Sequence, residues 1–199
     1  DYRPVSRKAG EPVVDLEPFV VSAERIHDPG LLAVFGLYEH DVGDDAEARV
    51  FLEKAAKAGM VRPMAHLVLA QLRQTDAVAK PLGKDGKLST KQADFILEPV
   101  KVALRTSAMA EAWDLTVDTL ARCEVLPSSA DIEIIVAGVS KFPRDTSLAL
   151  RTAQLCIQAG IPARATELID KSLPFVPDED TKKKFRTLRA ALSASADPG

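Results

Sequence analysis

The spacing of apolar residues changes near residue 29. Before it, the apolar residues form short irregular runs, and prolines at positions 4, 12 and 18 oppose a continuous helix. After it, apolar and small residues recur every three or four positions, which is the period of an amphipathic helix. The pattern predicts an extended N-terminal arm or linker over residues 1–28, a helical domain over 29–194 and a disordered tail over 195–199.

The clearest helix pair is predicted between residues 29 and 59. Two stretches of helical period are separated by Gly43, and the second ends at Gly59. Glycine ends helices readily because it tolerates a left-handed backbone. Asp44 or Asp45 is predicted to cap the second helix, because a side-chain carboxylate can accept hydrogen bonds from the first free N–H groups.

A second pair begins at Pro63 and is interrupted by an insertion of about eleven residues, 79–89. The insertion is rich in turn dipeptides, so it is predicted to be a mobile surface loop outside the core. Ser89 or Thr90 is the expected N-cap of the next helix. Pro99 falls inside that helix and is expected to kink or split it.

Two further pairs and a last helix complete the pattern. The third pair is predicted over residues 108–141, and the fourth lies between Pro143 and Pro177, which are 34 residues apart. The last helix, about 180–193, has one apolar face and one lysine-rich face, as expected of a helix that caps a stack. The predicted fold class is therefore all-α, with about four antiparallel helix pairs and a C-terminal capping helix.

The placement of large and small residues in these pairs resembles the tetratricopeptide repeat (TPR), a 34-residue helix–turn–helix motif. The first pair carries the motif in register at Leu32, Phe35, Gly36, Gly43, Ala48, Leu52 and Ala55. The fourth pair matches it at Ala149, Ala153, Gly160, Ala165, Ile169 and Pro177. Glu39 replaces the usual tyrosine of the first pair, Met60 replaces its final proline, and the two middle pairs depart further.

This resemblance implies a right-handed α-solenoid whose first helices line a concave groove, a surface that often binds peptides or partner proteins. It also implies that small residues lie where helices cross, because they let two backbones approach closely. The residues expected to be buried at such crossings are Gly36, Ala48, Ala55, Ala153 and Ala165.

Composition and charge narrow the function classes. The formal net charge is −3, which argues against a general nucleic-acid binder, since such proteins need a basic face. The densest basic run, Lys182-Lys183-Lys184, is interpreted as a solvated turn of the last helix.

No apolar run reaches about 18 residues, so no membrane span is predicted. Because the chain opens with Asp1 rather than Met, we expect a fragment or a processed product.

No catalytic, metal-binding or cofactor-binding constellation is predicted. The three histidines are isolated, without the paired spacing of a zinc site, and His66 is interpreted as a core or groove residue. Trp113, the one tryptophan, is interpreted as a wedge between helices. Cys123 and Cys156 lie 33 residues apart, about one repeat, and neighbouring helix axes are too distant for a disulfide, so two free thiols are expected.

The sequence therefore predicts a protein-interaction or scaffold module, not an enzyme, without a cofactor and with a peptide or protein partner in the groove. In the repeat register, the groove-facing residues are His40, Gln71, Gln74 and Gln154, with Leu37 and Leu150 between them. The alternative is an accessory C-terminal repeat segment of a larger enzyme whose catalytic domain lies upstream of residue 1.

Overall fold

The computed structural model describes residues 26–196, with side chains as far as residue 193. Helices take up 77% of these residues, and there is no β-strand among them. The prediction of an all-α fold built from helix pairs is confirmed. The predicted arm before residue 26 and the final three residues of the predicted tail lie outside the described residues.

The described chain divides into two compact units. Unit 1 comprises residues 26–76 and 98–107, and unit 2 comprises residues 77–97 and 108–196. Helix α3 (Pro63–Ala79) and helix α4 (Thr90–Thr106) each contribute residues to both units. Unit 1 is therefore discontinuous in sequence.

Unit 1 begins with the first predicted pair, α1 (Pro29–Val42) and α2 (Asp45–Lys57). The carboxylate of Asp28 accepts a hydrogen bond from the backbone N–H of Leu31 at 2.6 Å and caps α1. Gly43 ends α1 with a φ of +94°, a left-handed conformation that glycine adopts without strain. Asp44, rather than Asp45, caps α2 by accepting from the N–H of Glu47 at 2.9 Å.

The two helices approach closely because Gly36 has no side chain. A Cβ placed there would lie 2.6 Å from Cγ of Leu52 and 3.1 Å from the carbonyl oxygen of Ala48. Ala48 and Ala55 on the facing helix are fully buried. In unit 2, Ala153 and Ala165 are also fully buried, so the prediction that all five small residues are buried is confirmed.

The core of unit 1 combines side chains of α1, α2 and α3. Phe35 and Phe51 pack with their ring centroids 5.6 Å apart, and Leu32 and Leu69 are fully buried beside them. Ile26, just before α1, belongs to the same cluster.

A buried arginine joins three helices of unit 1, and the sequence analysis missed it. Arg73 on α3, only 5% exposed, donates from Nε and Nη2 to the two carboxylate oxygens of Glu53 on α2, both at 2.8 Å. Its Nη1 donates to Glu98 on α4 at 2.9 Å. A paired arginine of this kind satisfies a charge that would otherwise be costly to bury.

His66 is the other buried ionisable group of α3. It is 4% exposed, and its Nε2 lies 3.0 Å from the carbonyl oxygen of Met60, to which it donates. Burial lowers the pKa of His66, and the charge of Arg73 lowers it further, against the raising effects of the Met60 hydrogen bond and Glu98. The structure places His66 in the core.

Unit 2 contains the remaining helices: α5 (Ala110–Ala121), α6 (Ser129–Val139), α7 (Thr146–Gln158), α8 (Pro162–Ser172) and α9 (Glu179–Ala196). Each of these helices packs against the next, and α5 also packs against α7. Ser128 and Asp131 form a reciprocal capping box at the start of α6, and Asp145 caps α7. The predicted third and fourth pairs and the last helix are all present.

Trp113 is a wedge between α5 and α6, as its core interpretation predicted. It is only 7% exposed, and its indole ring covers Gly138 so closely that no Cβ would fit there. Both predicted free thiols are confirmed, since Cys123 and Cys156 are unbonded and buried. Burial raises the pKa of Cys156 to about 11.

The insertion at 79–89 is wrongly predicted as a loop outside the core. Leu88 is 1% exposed and packs with Ala77 and Ile96, whereas Leu82 is 76% exposed. The Leu88 N–H donates to the carbonyl of Arg122 at 2.9 Å, and its carbonyl accepts from the N–H of Glu124 at 2.8 Å. Turn dipeptides predict the local backbone, but they carry no information about these distant partners.

The insertion is further ordered by the side chain of Gln92. Its amide oxygen accepts from the N–H of Leu82 at 2.8 Å and of Ser89 at 3.1 Å, and its amide nitrogen donates to the carbonyl of Lys80 at 2.9 Å. Ser89 caps α4, as predicted, by accepting from the N–H of Gln92. α4 is not split at Pro99 but continues through it.

Candidate functional site

A groove of about 600 Å³ lies on unit 2 between α7 and α9. Its apolar lining consists of Leu150, Leu188 and Ala191. Its polar lining consists of Gln154 on α7 and of Asp180, Lys183, Lys184 and Thr187 on α9. Helix α8 packs against both of these helices.

The α7 wall is held in place by its opposite face and by one arginine. Leu148 and Leu155 are buried, which leaves half-buried Leu150 and exposed Gln154 on the groove side. Arg151 donates from Nη1 to Asp114 at 2.6 Å and from Nη2 to Asp118 at 2.8 Å, both on α5. These two ion pairs connect α7 to α5.

The α9 wall begins with a capped first turn. Asp178 accepts from the N–H of Thr181 at 2.7 Å. Hydrogen bonds from Thr181 hold the pKa of Asp178 below its usual range, with a smaller contribution from the charge of Lys184. Phe185 on the same helix is fully buried, whereas Lys184 and Leu188 line the groove.

The basic residues of α9 fall into two groups. Lys182 donates to Glu179 at 2.9 Å, with Arg186 3.6 Å from the same carboxylate, and Arg189 donates to Asp170 at 3.0 Å. The second group, Lys183 and Lys184, lines the groove, and neither forms an ion pair with the residues that the structure describes. The groove therefore carries two cations and one carboxylate, Asp180.

The predicted site residues lie in both units. Gln154 lines the groove, together with Leu150. His40 is half-buried in unit 1, with Nδ1 2.7 Å from a carboxylate oxygen of Asp45 at the start of α2. Gln71, exposed, and Gln74, half-buried, lie one turn apart on the unit 1 part of α3.

Leu37 was expected beside the groove residues, and this is wrong. It is 1% exposed and belongs to the core of unit 1. The TPR register places a groove-facing residue at position 37. In the structure, α1 and α2 approach closely at Gly36, and Leu37, the next residue, is buried as well.

The groove residues of α9 were missed because the repeat pattern was not continued past the fourth pair. Lys184 and Leu188 lie one 34-residue period after Leu150 and Gln154. All four residues line the groove. Extending the 34-residue period by one more repeat predicts that Lys184 and Leu188 face the groove, whereas the lysine run alone indicates only a solvated turn.

The groove presents side chains of several chemical kinds. Its lining offers ammonium, amide, hydroxyl and carboxylate groups, but it contains no histidine or thiol. Within residues 26–196, no three His, Cys, Asp or Glu side chains are grouped closely enough to hold a metal ion. None of the helices in this range is both long and apolar enough to cross a membrane.

Comparison with known proteins does not assign the chain to a family. No protein-family model matches the chain, and no curated protein matches it either.

Proposed function

We propose that this protein is a protein-interaction module that binds an extended peptide segment of a partner in the groove between α7 and α9. The observation that carries the proposal is the lining of that groove, in which the apolar side chains of Leu150, Leu188 and Ala191 lie together with exposed polar and charged side chains. A few placed polar groups over an apolar surface are typical of ligand sites, and about 600 Å³ is an ordinary volume for one.

The helix packing of unit 2 supports a TPR-like interpretation of this groove. α5 and α7, the first helices of two successive pairs, pack against each other, as first helices do in a repeat stack. α9 takes the place of the next first helix, one period after α7. We infer a short right-handed α-solenoid in unit 2, with its ligand on the first-helix side.

An extended peptide suits this site better than a compact small molecule does. The groove is bounded by two helices rather than enclosed, and its polar groups are distributed along α9 from Asp180 to Thr187, about two turns. Side chains spaced along a strand-like segment can reach such a row, which gives specificity through alternate residues.

Selection from a library of random peptides tests the proposal. The full chain is immobilised and compared with Thr187→Trp, which fills the groove from the exposed α9 wall. We expect peptides enriched on the wild-type chain to lose most of their binding to Thr187→Trp. The matched control is Ala190→Trp, which adds the same ring at an exposed position of α9 outside the groove lining.

Circular dichroism and a melting curve show whether each variant keeps its fold. Peptides that bind Thr187→Trp as tightly as the wild-type chain would place the binding surface elsewhere and contradict the proposal. A selection that enriches no peptide at all would do the same.

A further inference from the structure

We infer that the groove between α7 and α9 selects segments in which acidic side chains lie next to a bulky apolar one. This inference rests on the proposed function and specifies the chemistry of its ligand.

The charge argument comes from how α9 distributes its cations. Lys182 and Arg186 both lie beside Glu179, at 2.9 and 3.6 Å, so this one carboxylate offsets part of their charge on the helix itself. Lys183 and Lys184 are exposed, line the groove and form no ion pair with the residues that the structure describes. Two adjacent ammonium groups with one carboxylate, Asp180, give the groove a positive side that complements an anionic segment.

Carboxylates on side chains fit this arrangement better than a free chain terminus does. Chain termini are commonly captured by clusters of backbone N–H groups. Here Leu150, Gln154, Lys183 and Leu188 lie inside α7 and α9, where the backbone N–H groups are used within the helices. The groove therefore offers side-chain cations that can pair with acidic residues anywhere along a segment.

The apolar lining and Asp180 determine the rest of the recognition. Half-buried Leu150 and Leu188 leave part of their apolar surface in the groove, and covering it with a large apolar side chain is favourable. Asp180 lies at the N-terminal end of α9, one turn from Lys183 and Lys184, and repels a carboxylate placed beside it. The acidic residues of the ligand therefore lie towards the two lysines, with a basic or hydroxyl side chain near Asp180.

Charge reversal tests the inference on the full chain. Random peptide libraries, displayed both with free and with fused C-termini, are selected on the wild-type chain, on Lys183→Glu/Lys184→Glu and on Arg186→Glu. Arg186→Glu is the matched control, because it reverses an exposed cation of the same helix outside the groove lining. Affinities of selected peptides are then measured by fluorescence polarisation, with acidic or amide side chains and with free or amidated C-termini.

We expect Asp and Glu to be enriched on the wild-type chain and on the control, and Lys or Arg on the doubly reversed variant. The double reversal should weaken acidic peptides about three- to tenfold, because exposed ion pairs contribute little each, and amidation should leave binding unchanged. Peptides that need an open groove but show no acidic preference would overturn this inference and leave the proposed function standing. Loss of binding on amidation would overturn it in favour of a chain terminus.

Discussion

Gly36 lies where α1 crosses α2, with the side chain of Leu52 and the backbone of Ala48 against it. Replacing glycine by alanine inside a helix is normally favourable by up to about 1 kcal/mol. At Gly36 the added methyl group would lie 2.6 Å from Cγ of Leu52 and 3.1 Å from the carbonyl oxygen of Ala48, so the Leu52 side chain or one of the two helices must shift. We expect Gly36→Ala to lower the free energy of unfolding by about 1–3 kcal/mol, measured by chemical denaturation.

Gly30→Ala is the control for this change, since it lies on the same helix. The atom that its methyl group would meet is a carboxylate oxygen of Asp28 at 3.2 Å, which needs to give way by only a few tenths of an ångström. We expect a small effect there. If Gly36→Ala were as stable as the wild-type chain, α1 and α2 would not approach each other as closely at Gly36 as described.

The buried His66 makes stability depend on pH. Its pKa in the folded chain is lowered, chiefly by burial, below the usual value of 6.5. As the pH falls through that value, the unfolded chain takes up a proton that the folded chain resists, so the folded state loses stability. We expect the wild-type chain to lose more free energy of unfolding between pH 7.5 and 5.5 than His66→Gln does.

Denaturation curves at several pH values measure this difference. His27→Gln, which replaces an exposed histidine, should keep the pH dependence of the wild-type chain. Parallel pH profiles for the wild-type chain and His66→Gln would rule out His66 as the source.

For single residues, the sequence predicted burial correctly where the size of the side chain alone determines whether two helices can pack closely. Small residues such as Gly36 and Ala153 are buried because a large side chain does not fit between helices, and that constraint is visible in the spacing. Arg73 gave no such signal, because its partners Glu53 and Glu98 are 20 and 25 residues away. Long polar side chains reach partners that no local pattern specifies.

Among the elements, the insertion between α3 and α4 shows how one residue can join a loop to a core. Leu88 is buried and exchanges two backbone hydrogen bonds with residues 122–124, while Leu82 is exposed a few residues earlier. We expect Leu88→Ala to lower the free energy of unfolding by about 2–5 kcal/mol. Leu82→Ala removes the same atoms from an exposed side chain and should change it by less than about 0.5 kcal/mol.

Chemical denaturation of the two leucine variants decides between an integral and a peripheral insertion. If Leu88→Ala were as stable as Leu82→Ala, the insertion would be a peripheral loop, as its turn residues alone suggest. The helices themselves were predictable because their periods, caps and terminating glycines are local. The path of the insertion could not be predicted in this way, because it depends on hydrogen bonds to the Gln92 side chain and to the backbone of Arg122 and Glu124, which follow α5.

For the whole molecule, the sequence predicted the all-α fold class and its packing in helix pairs, because amphipathic periods, caps and terminating glycines recur along the chain. Leu150 and Gln154, which the repeat register predicts to face a groove, line the groove of unit 2. The other wall was missed because α9 was interpreted only as a cap, a role that explains its buried Phe185 but not the side chains that line the groove. The division into two units was not anticipated, because it cuts α3 near its C-terminal end and α4 near its middle.

The discontinuity of unit 1 has a consequence for how the chain acquires its structure as it leaves the ribosome. α1, α2 and most of α3 are synthesised first, but the segment 98–107 that completes their unit follows only after residues 77–97, which belong to unit 2. Until then Arg73 can pair with Glu53 but not with Glu98. Unit 1 is therefore completed only once α4 has been synthesised, and no single cut in the chain can release it whole.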